Sequence, residues 1–190
     1  MMHIITGSAR GVRLETLAGE RTRPTSERAK EAIFSMLQFE LEGRRILDLF
    51  AGSGQMGLEA VSRGAQSAVL VDCAKEACEI VRKNVAKTRL GARTRVVCAD
   101  ALRFLESCAE PPYHLVFLDP PYASGLLPSV LWALLDKKLL TEGAIVVAEC
   151  GAEKDLFGGD AALSARYEIL KTKRYGVAYV FLLTPAKEKL

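Results

Sequence analysis

Short apolar runs alternate with longer amphipathic stretches through the middle of this chain. There are five such runs between residues 46 and 149, and each of the first four is followed by apolar residues at helical spacing. These patterns predict strands at 46–50, 68–71, 95–98, 115–118 and 144–149, and helices at 56–63, 75–90, 101–108 and 126–137. Regular alternation of strand and helix is typical of a parallel sheet covered on both faces, which indicates the α/β class.

The N-terminal end of the chain follows a different pattern. Apolar residues at positions 29, 32, 33, 36 and 37 predict a helix with Thr25 as its N-cap. The residues ahead of it are strand-like and are interrupted by Gly11 and Gly19. We therefore expect residues 1–24 to form a β-hairpin extension and residues 25–190 to form the main domain.

The C-terminal end is also distinct. Two β-rich runs, 167–173 and 177–183, are separated by only three residues, which predicts an antiparallel hairpin at the edge of the sheet. The glycine- and alanine-rich stretch 151–165 is predicted to be a loop. The expected architecture is a seven-stranded, mostly parallel sheet with an antiparallel edge.

Composition narrows the class of protein. The chain has 190 residues, of which 49% are hydrophobic and 26% charged, as is ordinary for one soluble domain. No apolar run is long enough to span a bilayer and no secretory signal pattern is present, so we expect a cytoplasmic protein without a membrane partner. The five cysteines are scattered and there are only two histidines. Reduced thiols and no metal site are expected.

Positive charge is concentrated at the chain ends, although the net charge is only +3. The first thirty and the last twenty-five residues each carry six cationic side chains, against three and two acidic ones. Phosphate groups are natural ligands for the N-terminal cations, since a helix N-terminus also favours anions. The residues expected to contact them are Arg10, Arg23, Thr25 and Arg28. Solvated arginines, with Arg28 paired to Glu31, are the alternative.

The first predicted strand runs into a glycine-rich turn, Ala51-Gly52-Ser53-Gly54. A sharp strand-to-helix turn of this kind lets a nucleotide-like ligand approach the backbone. Gly52, Gly54 and Gly57 also match the dinucleotide fingerprint, with Asp72 at the end of the next strand. That match alone leaves a nicotinamide cofactor open.

Two carboxylates, Asp48 and Asp100, favour S-adenosylmethionine over a dinucleotide. Asp48 lies inside the strand before the glycine turn, where it can hold the cationic amino group of a methionine moiety. A pyrophosphate gains nothing from that charge. Asp72 can bind the ribose hydroxyls of either cofactor, whereas Asp100, after the third strand, can meet an adenine amino group. For Asp72 and Asp100, helix capping is the alternative.

A second motif, Asp119-Pro120-Pro121-Tyr122, follows the fourth predicted strand. Ligands of open parallel sheets bind beyond the carboxyl ends of the strands, so we expect this motif and the glycine turn to share one cleft. The Asp119 carboxylate and the Pro120 carbonyl can accept the two hydrogens of a planar amine, and Tyr122 can stack on its ring. Alone, the motif is also compatible with a simple turn after a strand.

Together these motifs resemble the ribosomal RNA small-subunit methyltransferase D family, the guanine-N2 methyltransferases of 16S rRNA. The resemblance spans nearly the whole chain. It rests on Arg10-Gly11, on Arg23-Pro24-Thr25 with Arg28, Glu31 and Phe34, and on the runs 47–54, 57–60, 62–65 and 119–122. The pair Gln55-Met56 departs from the smaller residues expected before Gly57.

The resemblance implies a class I, Rossmann-like methyltransferase fold, S-adenosylmethionine as donor and a guanine N2 of 16S rRNA as acceptor. The RNA is expected free or in a small-subunit assembly intermediate, and the enzyme as a cytoplasmic monomer. The target base is assigned to Asp119, Pro120, Pro121 and Tyr122. The donor is assigned to Asp48, Phe50, Ala51, Gly52, Ser53, Gly54, Asp72, Asp100, Ala101 and Asp119. RNA contacts are assigned to Arg10, Arg23, Thr25, Arg28 and Tyr122, which makes the extension of residues 1–24 RNA-contacting.

Three other functions remain compatible with the sequence. The acceptor can be another planar nitrogen, such as adenine N6 or a protein glutamine amide, although Asp rather than Asn at position 119 and the N-terminal arginines weigh against the amide. The chain can instead be a nicotinamide oxidoreductase. It can also be an RNA-binding module without catalysis.

Overall fold

The computed structural model describes residues 2–16 and 24–187. The chain divides into two compact units, Met1–Asp100 and Ala101–Leu190. Each unit has its own strands and helices.

The described part of the first unit contains three strands and three α-helices. In chain order they are α1 (Pro24–Met36), β1 (Arg45–Asp48), α2 (Gln55–Ser62), β2 (Ser67–Asp72), α3 (Lys75–Thr88) and β3 (Thr94–Cys98). The strands are parallel with β2 in the centre, since Leu47 is in register with Val69 and Val69 with Arg95. Strands β1 and β2 are mostly buried, as expected of parallel strands covered on both faces.

Residues 2–16 fold back on themselves, and we call them the N-terminal arm. An antiparallel bridge joins His3 to Arg13, and backbone hydrogen bonds lie on both sides of it. Ile4 and Leu14 are buried apolar anchors of the arm. The pairing agrees with the predicted β-hairpin, although it amounts to one isolated bridge rather than two regular strands.

The second unit contains α4 (Ala101–Ser107), β4 (Tyr113–Leu118), α5 (Leu127–Asp136), β5 (Leu140–Cys150), α6 (Ala161–Ser164), β6 (Tyr167–Tyr175) and β7 (Ala178–Pro185). Strands β4 and β5 are parallel, whereas β7 is antiparallel to both β5 and β6. With the three strands of the first unit the described strands number seven. The predicted mostly parallel sheet with an antiparallel C-terminal edge is confirmed.

Two local predictions were wrong. Helix α1 begins at Pro24, one residue before the predicted N-cap Thr25, because proline suits the first turn of a helix. The stretch 151–165 is not a simple loop, since it contains the short helix α6. Asp160 caps that helix: its Oδ1 accepts a hydrogen bond from the Leu163 N–H at 2.9 Å, and its Oδ2 accepts one from Trp132 Nε1 at 2.9 Å.

Two kinds of feature are absent from the part of the chain that the structure describes. No helix there is long and apolar enough to cross a membrane. No group of His, Cys, Asp or Glu side chains there is arranged to hold a metal ion.

Candidate functional site

The glycine turn of the first unit, residues 51–54, connects β1 to α2 in a conformation that most side chains disfavour. Gly52 and Gly54 have φ angles of +53° and +78°, in the left-handed region. A Cβ on Gly57, in the first turn of α2, would lie 2.0 Å from Leu70 Cδ2 of β2. The absent side chains therefore let the turn bend sharply and let α2 lie directly on the sheet.

Asp48, the last residue of β1, is a carboxylate with only 4% exposure. Its Oδ2 accepts a hydrogen bond from the Gly57 N–H at 3.0 Å, a donor that lacks a partner inside α2. Burial raises the pKa of Asp48 to about 7; the Gly57 hydrogen bond opposes this shift and the Asp72 carboxylate adds to it. A buried acid in this state gains most from a cationic ligand group, so Asp48 fits the amino group of a methionine moiety.

Asp72, the last residue of β2, ties the glycine turn to the start of α3. Its Oδ2 accepts a hydrogen bond from the Gly52 N–H and its Oδ1 accepts one from the Ala74 N–H, each at 2.9 Å. The N-cap residue of α3 is Ala74 and no side chain caps the helix, so the capping alternative does not describe Asp72. A carboxylate oxygen can accept more than one hydrogen bond, so ribose hydroxyls can still donate to Asp72. That role stays a prediction.

The other predicted donor residues differ in exposure. Phe50 is half-buried, and Ala51 and Ser53 are buried. Asp100 is exposed at the end of the first unit, and Ala101 is buried at the start of the second. Their roles toward a donor stay predictions.

A buried acid that was not predicted as a site residue holds the N-terminal arm on α2. Glu59 is 0% exposed, and its side-chain oxygens accept hydrogen bonds from the Ile5 and Thr6 N–H groups at 2.7 and 3.0 Å. The same carboxylate pairs with Arg63 Nε at 2.7 Å and with Lys30 Nζ at 3.6 Å. Its burial is therefore compensated by two cations and two backbone donors.

A buried amide that was not predicted either reaches both the arm and the glycine turn. Asn84 of α3 is 0% exposed. Its side chain forms hydrogen bonds with Glu15 of the arm and with Ser53 of the turn. The sequence does not indicate these hydrogen bonds, because the partners of a polar residue in an amphipathic helix are set by tertiary structure.

The Asp-Pro-Pro-Tyr motif of the second unit follows β4 directly. Asp119 is exposed, Pro120 is buried and Tyr122 is half-buried. The Tyr122 hydroxyl donates a hydrogen bond to Glu149 Oε1 at 2.6 Å. A Cβ on Gly151 would lie 3.0 Å from Tyr122 Cδ2, so this glycine lets the backbone lie against the ring. Tyr122 is therefore held both at its hydroxyl and at its ring, and Glu149 joins the candidate site without having been predicted from the sequence.

A shallow pocket lies beside this motif. Its lining includes Pro120, Pro121, Tyr122, Glu149 and Asp155. Ring surfaces and carboxylates together suit a flat ligand that carries N–H donors.

Two of the residues predicted to contact RNA, Arg10 and Arg28, have exposed side chains in the first unit. Arg23 lies outside the described residues, and Thr25 is described only by its place in α1. RNA contact stays a prediction for these residues and for Tyr122.

The sequence matches one protein family over nearly the whole length of the chain. The family described as "Conserved hypothetical protein 95" matches residues 2–184. The chain belongs to this family. It is 39% identical to "Putative rRNA methyltransferase YlbH" of Bacillus subtilis, over 82% of this chain and 85% of the relative. It is 36% identical to "Ribosomal RNA small subunit methyltransferase D" of Escherichia coli, over 82% of this chain and 77% of the relative. The predicted resemblance is confirmed.

A solved structure that is similar to this chain agrees on the fold. "Putative methyltransferase yhhF from Escherichia coli" is 30% identical to this chain, with a TM-score of 0.85 and coverage of 98% of this chain and 99% of the other. The predicted class I methyltransferase fold is confirmed. Its curated relatives and this structural neighbour are named as methyltransferases, and this chain is a methyltransferase. The acceptor atom is the finer question.

Proposed function

We propose that this protein transfers the methyl group of S-adenosylmethionine to the exocyclic N2 of one guanine in 16S ribosomal RNA. Its relatives in Bacillus subtilis and Escherichia coli are named as ribosomal RNA methyltransferases. The observation that carries the acceptor side of the proposal is the Tyr122 ring, which follows Asp119 and Pro120 and is fixed by the 2.6 Å hydrogen bond to Glu149. A fixed aromatic ring beside an acid and a proline carbonyl suits a flat base with an amino group.

The first unit binds the donor in this proposal. The buried Asp48 carboxylate pairs with the amino group of the methionine moiety, and Asp72 accepts hydrogen bonds from the ribose hydroxyls. Asp100 accepts one from the adenine amino group. Gly52 and Gly54 let the ligand approach the backbone closely. The bound donor supplies a methyl group on a positively charged sulfur.

The second unit orients the acceptor. The lone pair of guanine N2 is delocalised into the ring, so the amine must be held before it can attack a methyl carbon in line. The Asp119 carboxylate and the Pro120 carbonyl accept its two hydrogens, and Tyr122 stacks on the base. As the nitrogen–carbon bond forms, the carbon–sulfur bond breaks and its electron pair stays on sulfur. The nitrogen then loses one proton to Asp119 or to water.

RNA binding is assigned to the basic N-terminal segment. Arg10 and Arg28 are exposed cations that contact phosphate groups in this proposal, and Arg23 and Thr25 are assigned the same role from the sequence. The target guanine must leave its stack to reach the second unit. The enzyme acts as a cytoplasmic monomer on free 16S RNA or on a small-subunit assembly intermediate.

A methylation assay tests this function. Unmodified 16S RNA, free and assembled into small subunits, is incubated with labelled S-adenosylmethionine, and the nucleosides are separated after digestion. We expect N2-methylguanosine with the wild type. Asp119→Ala should react about 100-fold more slowly or worse, since misplacing a reacting group lowers a rate by about that factor. Glu142→Ala removes an exposed acid of β5 and is expected to leave the rate unchanged.

Other outcomes separate the alternatives. N6-methyladenosine, or methylated glutamine in a protein substrate, would reassign the acceptor while keeping the methyltransferase. Binding of NADH without binding of S-adenosylmethionine would favour an oxidoreductase. Salt-dependent RNA binding without turnover would favour a non-catalytic module.

A further inference from the structure

Asn84 of α3 bonds to three backbone groups of two residues, Glu15 and Ser53, that are far apart in sequence. Its Nδ2 donates hydrogen bonds to the carbonyls of Ser53 and Glu15, each at 2.9 Å, and its Oδ1 accepts one from the Glu15 N–H at 2.8 Å. Both amide hydrogens are used, and the side chain is 0% exposed. A buried amide satisfied in this way fixes the relative position of the segments it bonds.

The two segments are the glycine turn and the end of the N-terminal arm. Ser53 lies between the two left-handed glycines of the turn, so its carbonyl direction sets the orientation of the peptide that leads into α2. The Ser53 hydroxyl also donates to Met2 Sδ at 3.1 Å. Both ends of the arm, at Met2 and at Glu15, therefore contact the same residue of the turn, directly or through Asn84.

The arm is also held by contacts at its middle and at its end. Its middle is bonded to α2, where Ser62 Oγ donates to the Thr6 carbonyl at 2.6 Å and accepts from the Ala9 N–H at 2.9 Å. Its end is held by Lys87, whose Nζ lies 2.6 Å from a carboxylate oxygen of Glu15. The exposed Arg10 extends from the same arm. A phosphate bound at the arm and a ligand bound at the turn thus act on one connected network.

We propose that Asn84 is a positioning residue that makes the N-terminal arm part of the donor site, so that RNA binding at the arm and donor binding at the turn strengthen each other. The inference rests on the proposed function, because it takes the arm as an RNA-binding element and the turn as the donor-binding element. Binding linkage requires the effect to be reciprocal: RNA tightens donor binding by the same factor by which the donor tightens RNA binding.

The experiment measures this coupling factor. Calorimetry gives the Kd of S-adenosylhomocysteine for the full-length protein, with and without saturating unmodified 16S RNA. Filter binding gives the Kd of the RNA, with and without S-adenosylhomocysteine. For the wild type we expect both ratios to be equal and about tenfold, within the usual range of such couplings. In Asn84→Ala and Asn84→Asp both ratios are expected to fall below about twofold, because neither variant can donate to Ser53 and Glu15.

Thr88→Val is the matched control. Thr88 is a buried polar residue of the same helix, and its hydroxyl donates to the backbone of Asn84 and Val85 rather than to the arm or the turn. This variant should lose stability but keep the wild-type coupling factor. If Asn84→Ala weakens both affinities while their ratios stay at the wild-type value, Asn84 is merely structural and the proposal is overturned. A wild-type ratio of one overturns it as well.

A measurement on the wild type covers the case in which the Asn84 variants do not fold. The Glu15 N–H is bonded to Asn84 Oδ1, so its hydrogen exchange should slow several-fold when S-adenosylhomocysteine binds. Unchanged exchange at Glu15 would overturn the proposal. A protein that methylates 16S RNA but shows no coupling contradicts only this inference, whereas a protein that binds neither donor nor RNA contradicts the proposed function itself.

Discussion

Asp48 Oδ2 accepts a hydrogen bond from the Gly57 N–H at 3.0 Å, which joins the end of β1 to the first turn of α2. The bond satisfies a helix donor but leaves a buried carboxylate whose pKa burial raises to about 7. A neutral acid therefore coexists with its ionised form at neutral pH. A cationic ligand group favours the ionised form, so donor binding and proton release are linked at this residue.

We predict that S-adenosylhomocysteine binding releases a proton near pH 7. Its affinity should rise about tenfold between pH 6 and pH 8, because one pH unit below the pKa only about one molecule in ten has the ionised Asp48 that binds the ligand. Titration calorimetry in two buffers of different ionisation enthalpy measures the released proton directly. Asp48→Asn should bind more weakly and show neither the proton release nor the pH dependence. A wild-type affinity that is flat across this range would show that Asp48 does not meet the amino group.

The same raised pKa has a consequence for the free protein. The folded state binds the Asp48 proton more tightly than the unfolded state, so this contribution to the free energy of unfolding is complete below the ordinary pKa of 3.8 and is lost as the pH rises through about 7. Without donor, Asp48→Asn should therefore gain stability relative to the wild type as the pH rises from 5 to 8. Thermal unfolding at the two pH values checks this sign, and a difference between the proteins that does not change with pH would contradict it.

The burial of Glu59 makes its ion pairs important for the stability of the fold. In Glu59→Gln the side chain keeps its size but loses its charge, while Lys30, at 1% exposure, stays buried beside it. We expect a loss of about 3 kcal/mol in the free energy of unfolding, typical of breaking a buried ion pair. Urea unfolding measures it, and faster hydrogen exchange at Ile5 and Thr6 should report release of the arm.

An exposed pair of the same unit serves as the control for Glu59. Arg44 Nη2 and Glu40 Oε2 lie 2.8 Å apart, but their side chains are 35% and 40% exposed. Glu40→Gln should cost only about 0–1 kcal/mol, since water screens such pairs. Equal losses in the two variants would mean that the buried network does not hold the arm.

The repeating elements were predictable because their periodicity is local. Five apolar runs separated by amphipathic stretches are enough to place β1 to β5 and the helices between them, and the three-residue gap before Val177 predicted the C-terminal hairpin. Helix α6 escaped prediction because four residues carry no helical period. What holds it is a cap by Asp160 that Trp132 supports from 28 positions away in sequence.

The candidate site was predictable only where a motif states the chemistry. Asp48, Asp72 and the glycines of the turn could be named because a strand that ends in a glycine-rich turn is a known ligand-binding pattern. Asn84 and Glu149 could not, because their partners lie 31 and 27 positions away in sequence. An amide in a helix and an acid at a strand end join the candidate site only when the fold brings Ser53 and Tyr122 to them.

Variants of Tyr122 and Glu149 can distinguish two effects at the proposed acceptor site: stacking of the ring on the base, and orientation of the ring by its hydrogen bond to Glu149. Tyr122→Ala removes the ring, and we expect kcat/KM to fall about 5- to 150-fold, the equivalent of about 1–3 kcal/mol for a stacked base. Tyr122→Phe keeps the ring but loses the hydroxyl that donates to Glu149, so its loss of activity should be smaller and should appear mainly in kcat.

If Glu149 acts through Tyr122, then Glu149→Ala should lower the rate in the wild type but change little in a Tyr122→Phe background. Additive losses would instead mean that Glu149 acts on the reaction independently of Tyr122.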